Sequence, residues 1–310
     1  MTLLAAVGLV AATLTLAWLS AATGVAYAGG SRSTALRAPA YESARLLRQR
    51  RRRTVDADRL LLTLAVVGLF PIAVLMAALV PFGDGPAAAT LLVSGIGIVW
   101  INAFDVTVWA LVWLLGWGPN AASGLVGGYR FLAQALAYEL PLMFALTAPA
   151  IAAGSLDLRV VADAQTVPYA LWMPVAFAAY CLGVLGFSLR GPLASPTTPD
   201  IDGGVLAELS GTDALLVRAG RHALLGAGAL AAVPLFLAGG SGPLLPAPVW
   251  VLLKAAALTA ALAWVASRVP AVRPDRLFAV AWTWLLPAVL VQLLVVSVVA
   301  QAGLTAAGGR

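Results

Sequence analysis

The 310-residue sequence has few of the side chains that bind metals or form disulfides, since it holds one cysteine and one histidine. The single Cys181 excludes disulfides and Cys-ligated clusters within the chain, and the lone His222 offers no metal site. Charged residues are also scarce, at 10% of the chain. An internal repeat, a Gly-rich phosphate loop and a nucleic-acid-binding module are missing, so no nucleic-acid partner is expected.

Apolar residues dominate instead. They make up 62% of the chain, and the mean hydropathy is +0.95. Such a composition predicts an integral membrane protein. The apolar residues are mostly Ala, Leu, Val and Gly, which suit closely packed helices, whereas membrane strands would alternate in polarity at every second residue.

Eight apolar stretches meet the requirement of about 20 residues for crossing about 30 Å of hydrocarbon as a helix. We therefore predict an all-α integral membrane protein, a bundle of about eight transmembrane helices that forms a single transmembrane domain over residues 1–310. The predicted spans are 2–28, 60–82, 87–116, 128–153, 167–189, 221–240, 246–267 and 277–301.

The first stretch ends in VAYA, which resembles a signal-peptidase site. No Lys or Arg precedes it, and it is longer than the roughly 7–15 apolar residues of a signal peptide. We expect a retained helix.

The basic residues lie mostly on one side of the predicted membrane. All but three of the nineteen Lys and Arg fall in loops 29–59, 117–130, 190–221 and 268–276. The exceptions are Arg159 and Arg310 on the other side and Lys254 within a helix. Because positive loops stay inside, we place these loops in the cytoplasm and both termini outside the cell's inner (plasma) membrane.

Two long loops, 29–59 and 190–220, share the cytoplasmic side, as expected of a protein that docks a cytosolic partner. The first contains AYESARLLRQRRRRTVDADRLL, whose spacing predicts an amphipathic helix at the membrane surface. Ala40, Ala44 and Leu47 lie on one side of it, with Glu42, Arg45 and Arg48 beside them. The run Arg50–Arg53 that follows is either an anchor on anionic lipid or a docking site for an acidic partner.

The second long loop is rich in Pro, Gly and Thr, which break helices. It carries four acidic residues: Asp200, Asp202, Glu208 and Asp213. These carboxylates either feed protons toward a membrane entrance, bind a cationic surface or form an ordinary solvated loop.

Three charged residues fall within predicted spans. Asp105 has Asn102 and Trp109 about one turn away on the same face, and Glu139 precedes Pro141, which frees a backbone carbonyl. Lys254 is near enough to the outer end of its helix to reach the interface.

An ionised carboxylate in hydrocarbon costs roughly 2.5–3.5 kcal/mol, so a buried acid is a candidate functional residue. A static ion pair with Lys254 or Arg130 is one explanation of these acids. The other is a proton route, because hydrocarbon favours the neutral form of a carboxyl. Two acids on neighbouring helices, opening toward an acidic loop, favour the proton route.

The segment GWGPNAASGLVGGYRFLAQALAYELPL resembles the third-loop and fourth-helix signature of the respiratory complex I subunit 1 family, which is also the family of the NADH–quinone oxidoreductase H subunit. That family includes the membrane subunits of formate hydrogenlyase and of other membrane-bound group 4 NiFe-hydrogenases. PAYESARLL is similar to the family's amphipathic loop helix. DADRLL and VPFG frame the second helix as the family does, and LKAAALTAALAW with RPDRLFAVAWTWLLP resembles the last two helices. The resemblance covers nearly the whole chain.

In that family the subunit anchors the peripheral arm, helps to form the quinone chamber and begins the buried carboxylates that couple redox chemistry to proton pumping. The resemblance implies that Glu139 is the buried acid of the fourth helix and that Arg130 is the Arg at its start. Glu208, in ELSG, matches the Glu of the family's E-Y-S-G turn. The loop RGPLASPTTPDID departs from the complex I pattern and is similar to the hydrogenase-type loop, with Pro199 where His is expected.

We therefore predict a membrane subunit of a complex I-like or group 4 hydrogenase-like oxidoreductase that anchors the electron-transfer arm and takes part in redox-coupled proton translocation. The candidate proton-path residues are Glu139, Asp105, Glu208, Asp200, Asp202, Asp213 and Lys254. The candidates for arm docking or loop structure are Arg130, Glu42, Arg45, Arg48 and Arg190.

The chain alone is expected to carry no cofactor or redox chemistry. The resemblance implies a quinone at an interface, and Fe–S clusters with flavin or NiFe in partner subunits. Expected partners are an Fe–S protein and a hydrogenase-like large subunit of the peripheral arm, antiporter-like membrane subunits and the lipid bilayer. The alternatives are an assembly or anchor subunit without quinone binding or pumping of its own, and an independent transporter.

Overall fold

The computed structural model of the chain describes residues 3–83 and 90–303, and these contain helices and turns but no β-strand. The predicted all-α membrane fold is confirmed. Seven helical segments are long and apolar enough to cross a membrane. They are α1 (Leu3–Tyr27), α3 (Arg59–Ala78), α4 (Gly97–Trp117), α5 (Ala122–Ala153), α9 (Gly211–Phe236), α10 (Ala247–Arg268) and a last segment, Pro274–Gln301.

The remaining helices are shorter or lie at the ends of the bundle. They are α2 (Arg32–Arg48), α6 (Leu158–Asp163), α7 (Tyr169–Trp172) and α8 (Pro174–Phe187). The last spanning segment consists of α11 (Pro274–Val280), a π-helical turn (Ala281–Leu285) and α12 (Leu286–Gln301).

The fifth predicted span, 167–189, is not one long helix. It is divided at Met173 into α7 and the 14-residue α8, because Pro174 has no N–H and disfavours helical backbone in the residue before it. Gln292 of α12 fills the break: its Oε1 accepts from Ala176 N at 2.7 Å and its Nε2 donates to Trp172 O at 3.3 Å. A side chain from another helix thus satisfies the backbone groups that the break frees.

The third and fourth predicted spans have different bounds. Residues 90–96 are not helical, so α4 begins at Gly97; residues 87–89 of the predicted span, like Arg310, lie outside the described residues. The helix α5 begins at Ala122, six residues earlier than predicted. It can do so because α4 and α5 approach closely at Gly116, where a Cβ would come within 2.6 Å of Gly124 O. This contact sets one face of α4 directly against α5.

The centre of the bundle is α9, whose spanning window is 83% buried. It packs against α1, α3, α8 and α10, and its sequence from Gly226 to Ala232 consists almost entirely of small residues. Small residues let helix backbones approach closely where lipid provides no hydrophobic drive for association.

The predicted amphipathic helix in the first loop is present as α2. Its first turn is capped by Ser31, whose hydroxyl accepts from Thr34 N at 3.2 Å. The side that packs on α1 and α9 carries the buried Ala35 and Leu46. The stripe of Ala40, Ala44 and Leu47 therefore faces away from the bundle and is exposed.

The two long loops are joined at the start of α9. Asp213 is buried, and both of its carboxylate oxygens accept from Arg51, at 2.5 Å each. Beside this pair Arg52 N donates to Ser210 Oγ at 2.6 Å. Asp213 also lies in the first turn of α9, where the helix dipole stabilises a negative charge. One carboxylate thus joins the first long loop to the end of the second.

We predict that Asp213→Asn lowers the free energy of unfolding by about 1.5–3 kcal/mol, the contribution of hydrogen bonds to a charged partner. Thermal unfolding of the detergent-solubilised protein measures this. The control is Asp56→Asn, which removes an exposed carboxylate from the first loop. Equal shifts in the two variants would show that the Arg51 contact contributes little.

Candidate functional site

The polar faces of α4 and α5 meet inside the bundle. Asp105 and Tyr138 are each 1% exposed, and the Tyr138 hydroxyl donates to Asp105 Oδ1 at 3.2 Å. Trp109 meets the Tyr138 ring edge-on, with the ring centroids 6.5 Å apart. Gly186 of α8 makes room for Tyr138, because a Cβ there would lie 2.6 Å from the tyrosine ring. The hydroxyl is therefore fixed against Asp105.

Glu139, next to Tyr138, is close enough to Asp105 for their carboxyls to interact electrostatically. Asp105 Oδ2 and Glu139 Oε2 are both buried and have no hydrogen-bond partner among the described residues. Ionised carboxylate oxygens can only accept hydrogen bonds, so two facing carboxylates repel unless a proton lies between them. The geometry therefore suits a pair of acids that shares one proton.

Further polar groups continue this arrangement along both helices. Gln134, fully buried one turn before Tyr138, uses neither its amide oxygen nor its amide nitrogen in a hydrogen bond with the described protein. The Trp109 indole N–H and Asn102 Oδ1 are likewise buried without a described partner. We call these six residues the polar seam: Asn102, Asp105, Trp109, Gln134, Tyr138 and Glu139.

Gln134 is not among the site residues predicted from the sequence. An amide inside an apolar stretch, four residues before Tyr138, was the available signal. Its importance depends on the burial of both amide groups, which only the packing of α4 on α5 determines.

A second site is a cavity of about 770 Å³ between α1, α2 and α9. Its walls are mainly apolar, with Leu14 and Trp18 from α1 and Leu46 from α2. The polar exceptions include His222, whose Nδ1 lies 2.9 Å from Ser20 Oγ, and the acidic and basic residues of α2. From the sequence, His222 was considered only as a metal ligand; its position on the cavity wall follows from the packing of α9 against α1.

Glu42 is the anionic centre of this cavity wall. Arg45 donates to both of its carboxylate oxygens, at 2.7 Å each, and Arg218 of α9 donates to Oε1. The hydrogen bond from Arg45, followed by the charge of Arg218, lowers the pKa of Glu42 below its ordinary value. The triad joins α2 to α9 at the rim of the cavity.

The predicted ion pairs of the membrane acids are not what holds the charged groups. Arg130 pairs with Asp200 at 2.7 Å. Lys254 Nζ donates to three carbonyls after the end of α9, those of Leu237, Gly239 and Ser241, at 2.8–2.9 Å. The lysine therefore lies beside backbone carbonyls and does not extend simply to the interface.

The other predicted site residues are dispersed. Asp202 is exposed and has left-handed backbone geometry, with φ of 52°. The side chains of Asp202, Glu208 and Arg48 form no hydrogen bond or ion pair in the described parts of the chain. Arg190 lies after α8, where burial lowers the pKa of its guanidinium to about 10 and its Nε has no described partner.

Within residues 3–83 and 90–303 no group of three or more His, Cys, Asp or Glu could hold a metal. A helical bundle with a buried acid seam and a lateral apolar cavity defines a polytopic membrane protein equipped to handle protons inside the bilayer. The family model described as NADH dehydrogenase matches residues 1–297, and the chain belongs to that family.

Named relatives, all of them H subunits of NADH-quinone oxidoreductase, agree with this assignment. The relative from Dehalococcoides mccartyi is 31% identical over 241 residues, which cover 77% of this chain and 67% of the relative. The first of the numbered H subunits of Rhodopseudomonas palustris is 33% identical over 227 residues, 72% of this chain and 70% of the relative. The second of those of Cereibacter sphaeroides is 33% identical over 243 residues, 76% of each protein. The predicted resemblance is confirmed at the level of the family.

We predict that infrared spectra of the protein contain the carbonyl stretch of a protonated carboxylic acid, and that either Asp105→Asn or Glu139→Gln removes it. The reason is that two adjacent carboxyls in a medium of low dielectric titrate as a pair. Asp163→Asn, at an exposed acid, is the control and should leave the band unchanged. A band that survives both seam substitutions would rule out the shared proton.

The lowered pKa of Glu42 predicts a pH dependence of stability. Because the folded-state pKa lies below the unfolded one, the stabilisation is complete above the ordinary Glu pKa of about 4.3 and is lost as pH falls through the folded value. Glu42→Gln should therefore flatten the acid side of a plot of Tm against pH. Glu208→Gln, which removes a carboxylate with no described partner, should leave the wild-type slope.

Proposed function

We propose that the protein is the membrane subunit of a complex I-like or group 4 hydrogenase-like oxidoreductase, where it anchors the electron-transfer arm and takes part in redox-coupled proton translocation. The observation that carries the proposal is the acid pair, because Asp105 and Glu139 each keep a buried oxygen free of protein partners. Burying such groups is costly, and membrane proteins retain them chiefly for function.

In the proposed mechanism, Asp105 and Glu139 hold one proton between them. The Tyr138 hydroxyl, donating to Asp105 Oδ1, orients that carboxyl and stabilises its ionised form when the proton moves to Glu139. Charge that arrives near the pair changes which carboxyl holds the proton, and electrostatic coupling of this kind needs no direct contact with a redox centre.

The apolar cavity fits the isoprenoid and ring of a quinone, since such ligands bind in largely apolar pockets with a few oriented polar groups. His222 and Ser20 would hold a carbonyl oxygen, and the Glu42–Arg45–Arg218 triad would form the polar rim. A bound quinone would supply a two-electron acceptor. Fe–S clusters, and flavin or NiFe, would reside in partner subunits.

Arm docking is proposed for the basic face, the face formed by residues 28–58, 118–121, 190–210 and 269–273. We assign this face to the cytoplasm, the protein to the plasma membrane with both termini outside, and residues 1–310 to one transmembrane domain. Exposed arginines such as Arg48 and Arg50 support docking of an acidic surface. The partners would be the Fe–S protein and hydrogenase-like large subunit, with antiporter-like subunits beside the bundle.

The direct test is Glu139→Gln in the assembled complex. We expect assembly to be intact, because Gln keeps the size of the side chain, and proton movement into vesicles per electron transferred to fall strongly. Glu208→Gln is the matched control, an acid of the basic face without a described partner. Unchanged pumping by Glu139→Gln would overturn the coupling role.

A second candidate function is an assembly or anchor subunit without quinone binding or pumping of its own. The exposure of Arg48 and Arg50 on the basic face is the observation that favours it. Under this function charge reversal at Arg48 would detach partner subunits, while Glu139→Gln would be silent. Copurification of the partners with each variant distinguishes the two.

A further inference from the structure

A cleft opens on the basic face at the side of α5. Its volume is about 530 Å³, and it is lined by Arg130, Asp200, Arg273, Pro274 and Asp275. Two ion pairs line it: Arg130 Nη1 to Asp200 Oδ2 at 2.7 Å, and Arg273 Nε to Asp275 Oδ1 at 3.2 Å. The cleft is therefore polar and open to water, with balanced charge at its wall.

The innermost of these residues begins a line of polar side chains on α5. Arg130, Gln134 and Tyr138 follow one another at four-residue spacing, so they lie on one face of the helix with a rise of about 6 Å between neighbours. Arg130 is in the cleft, and Tyr138 is hydrogen-bonded to Asp105. Gln134 lies between them, fully buried, with its amide donor and acceptor both unused.

We propose that this cleft is the cytoplasmic entrance of the proton route and that Gln134 connects it to the acid pair by holding water between Arg130 and Tyr138. The inference rests on the proposed proton function and identifies its entrance. A primary amide suits the task because it donates and accepts at once and carries no charge, so it can order water without trapping a proton. An apolar residue at the same position would leave the seam closed.

Arg130 and Asp200 form the rim of this entrance, and neither binds the transferred proton. The Thr198 hydroxyl and then the Arg130 guanidinium lower the pKa of Asp200, which keeps that carboxylate ionised at neutral pH. Asp200 in turn offsets the positive charge of Arg130, which would otherwise repel an incoming proton. Water, ordered by Gln134, is the carrier across this step.

Cysteine accessibility tests the entrance independently of proton pumping. The chain has one cysteine, so Cys181→Ser provides a background without reactive thiols in this chain. In that background, Gln134→Cys, Arg130→Cys and Leu136→Cys are treated in native membranes with a small cationic methanethiosulfonate, applied from either side. Leu136 is the matched control because it lies on the same helix but is 56% exposed on the bundle exterior, where lipid suppresses thiolate formation.

We expect Gln134→Cys to react from the same side as Arg130→Cys, and Leu136→Cys to react from neither. A Gln134→Cys that stays unmodified while Arg130→Cys reacts would overturn the entrance. If Gln134→Cys is labelled but Glu139→Gln pumps normally, the hydrated entrance stands and the coupling role fails.

A second measurement covers the case in which the cysteine variant does not fold. In the assembled complex, Gln134→Leu should slow proton uptake by roughly tenfold or more, whereas Gln134→Asn, which keeps the amide, should retain most of it. The infrared band of the shared proton should persist in both, because neither variant changes the acids. Equal uptake by Gln134→Leu and wild type would contradict the role of Gln134.

Discussion

Hydrocarbon provides no hydrogen-bond partner, so each polar group inside the bundle depends on the protein or on water. At most positions the protein supplies the partner. Gln292 satisfies the break between α7 and α8, and the buried Gln165 donates to Pro234 O at 2.6 Å and accepts from Ala238 N at 2.9 Å where α9 ends. The polar seam is the exception, because its atoms are buried as deeply but have few described partners. This contrast separates structural glutamines from Gln134.

Much of the fold follows from local sequence, whereas the division of labour among the charged residues does not. Length and apolar composition predict the spans, and one-turn spacing places Asn102 and Trp109 beside Asp105. The roles in the acidic loop depend on contacts between residues far apart in the chain. Asp213 is held by Arg51, 162 residues away, whereas Asp200 meets Arg130 across the cleft. No local pattern distinguishes these two aspartates.

The arginine run also divides into two roles that its composition conceals. Arg51 and Arg53 turn toward Asp213, at 2.5 and 3.8 Å, and hold the loops together. Arg50 and Arg52 are exposed on the basic face. Lipid anchoring or partner docking therefore falls to alternate members of the run. A loop that must present charge outward is held by its own neighbours, which limits the conformational entropy lost on docking.

The π-helical turn Ala281–Leu285 determines the angular position of everything after it in the last helix. Each residue of an α-helix turns the chain by about 100°, and a π turn accommodates one extra residue without breaking the helix. Gln292 lies seven residues beyond this turn and reaches the gap between α7 and α8 only at its present rotation. In evolutionary terms, a one-residue insertion or deletion in this helix would be tolerated if the wide turn absorbed it before Gln292.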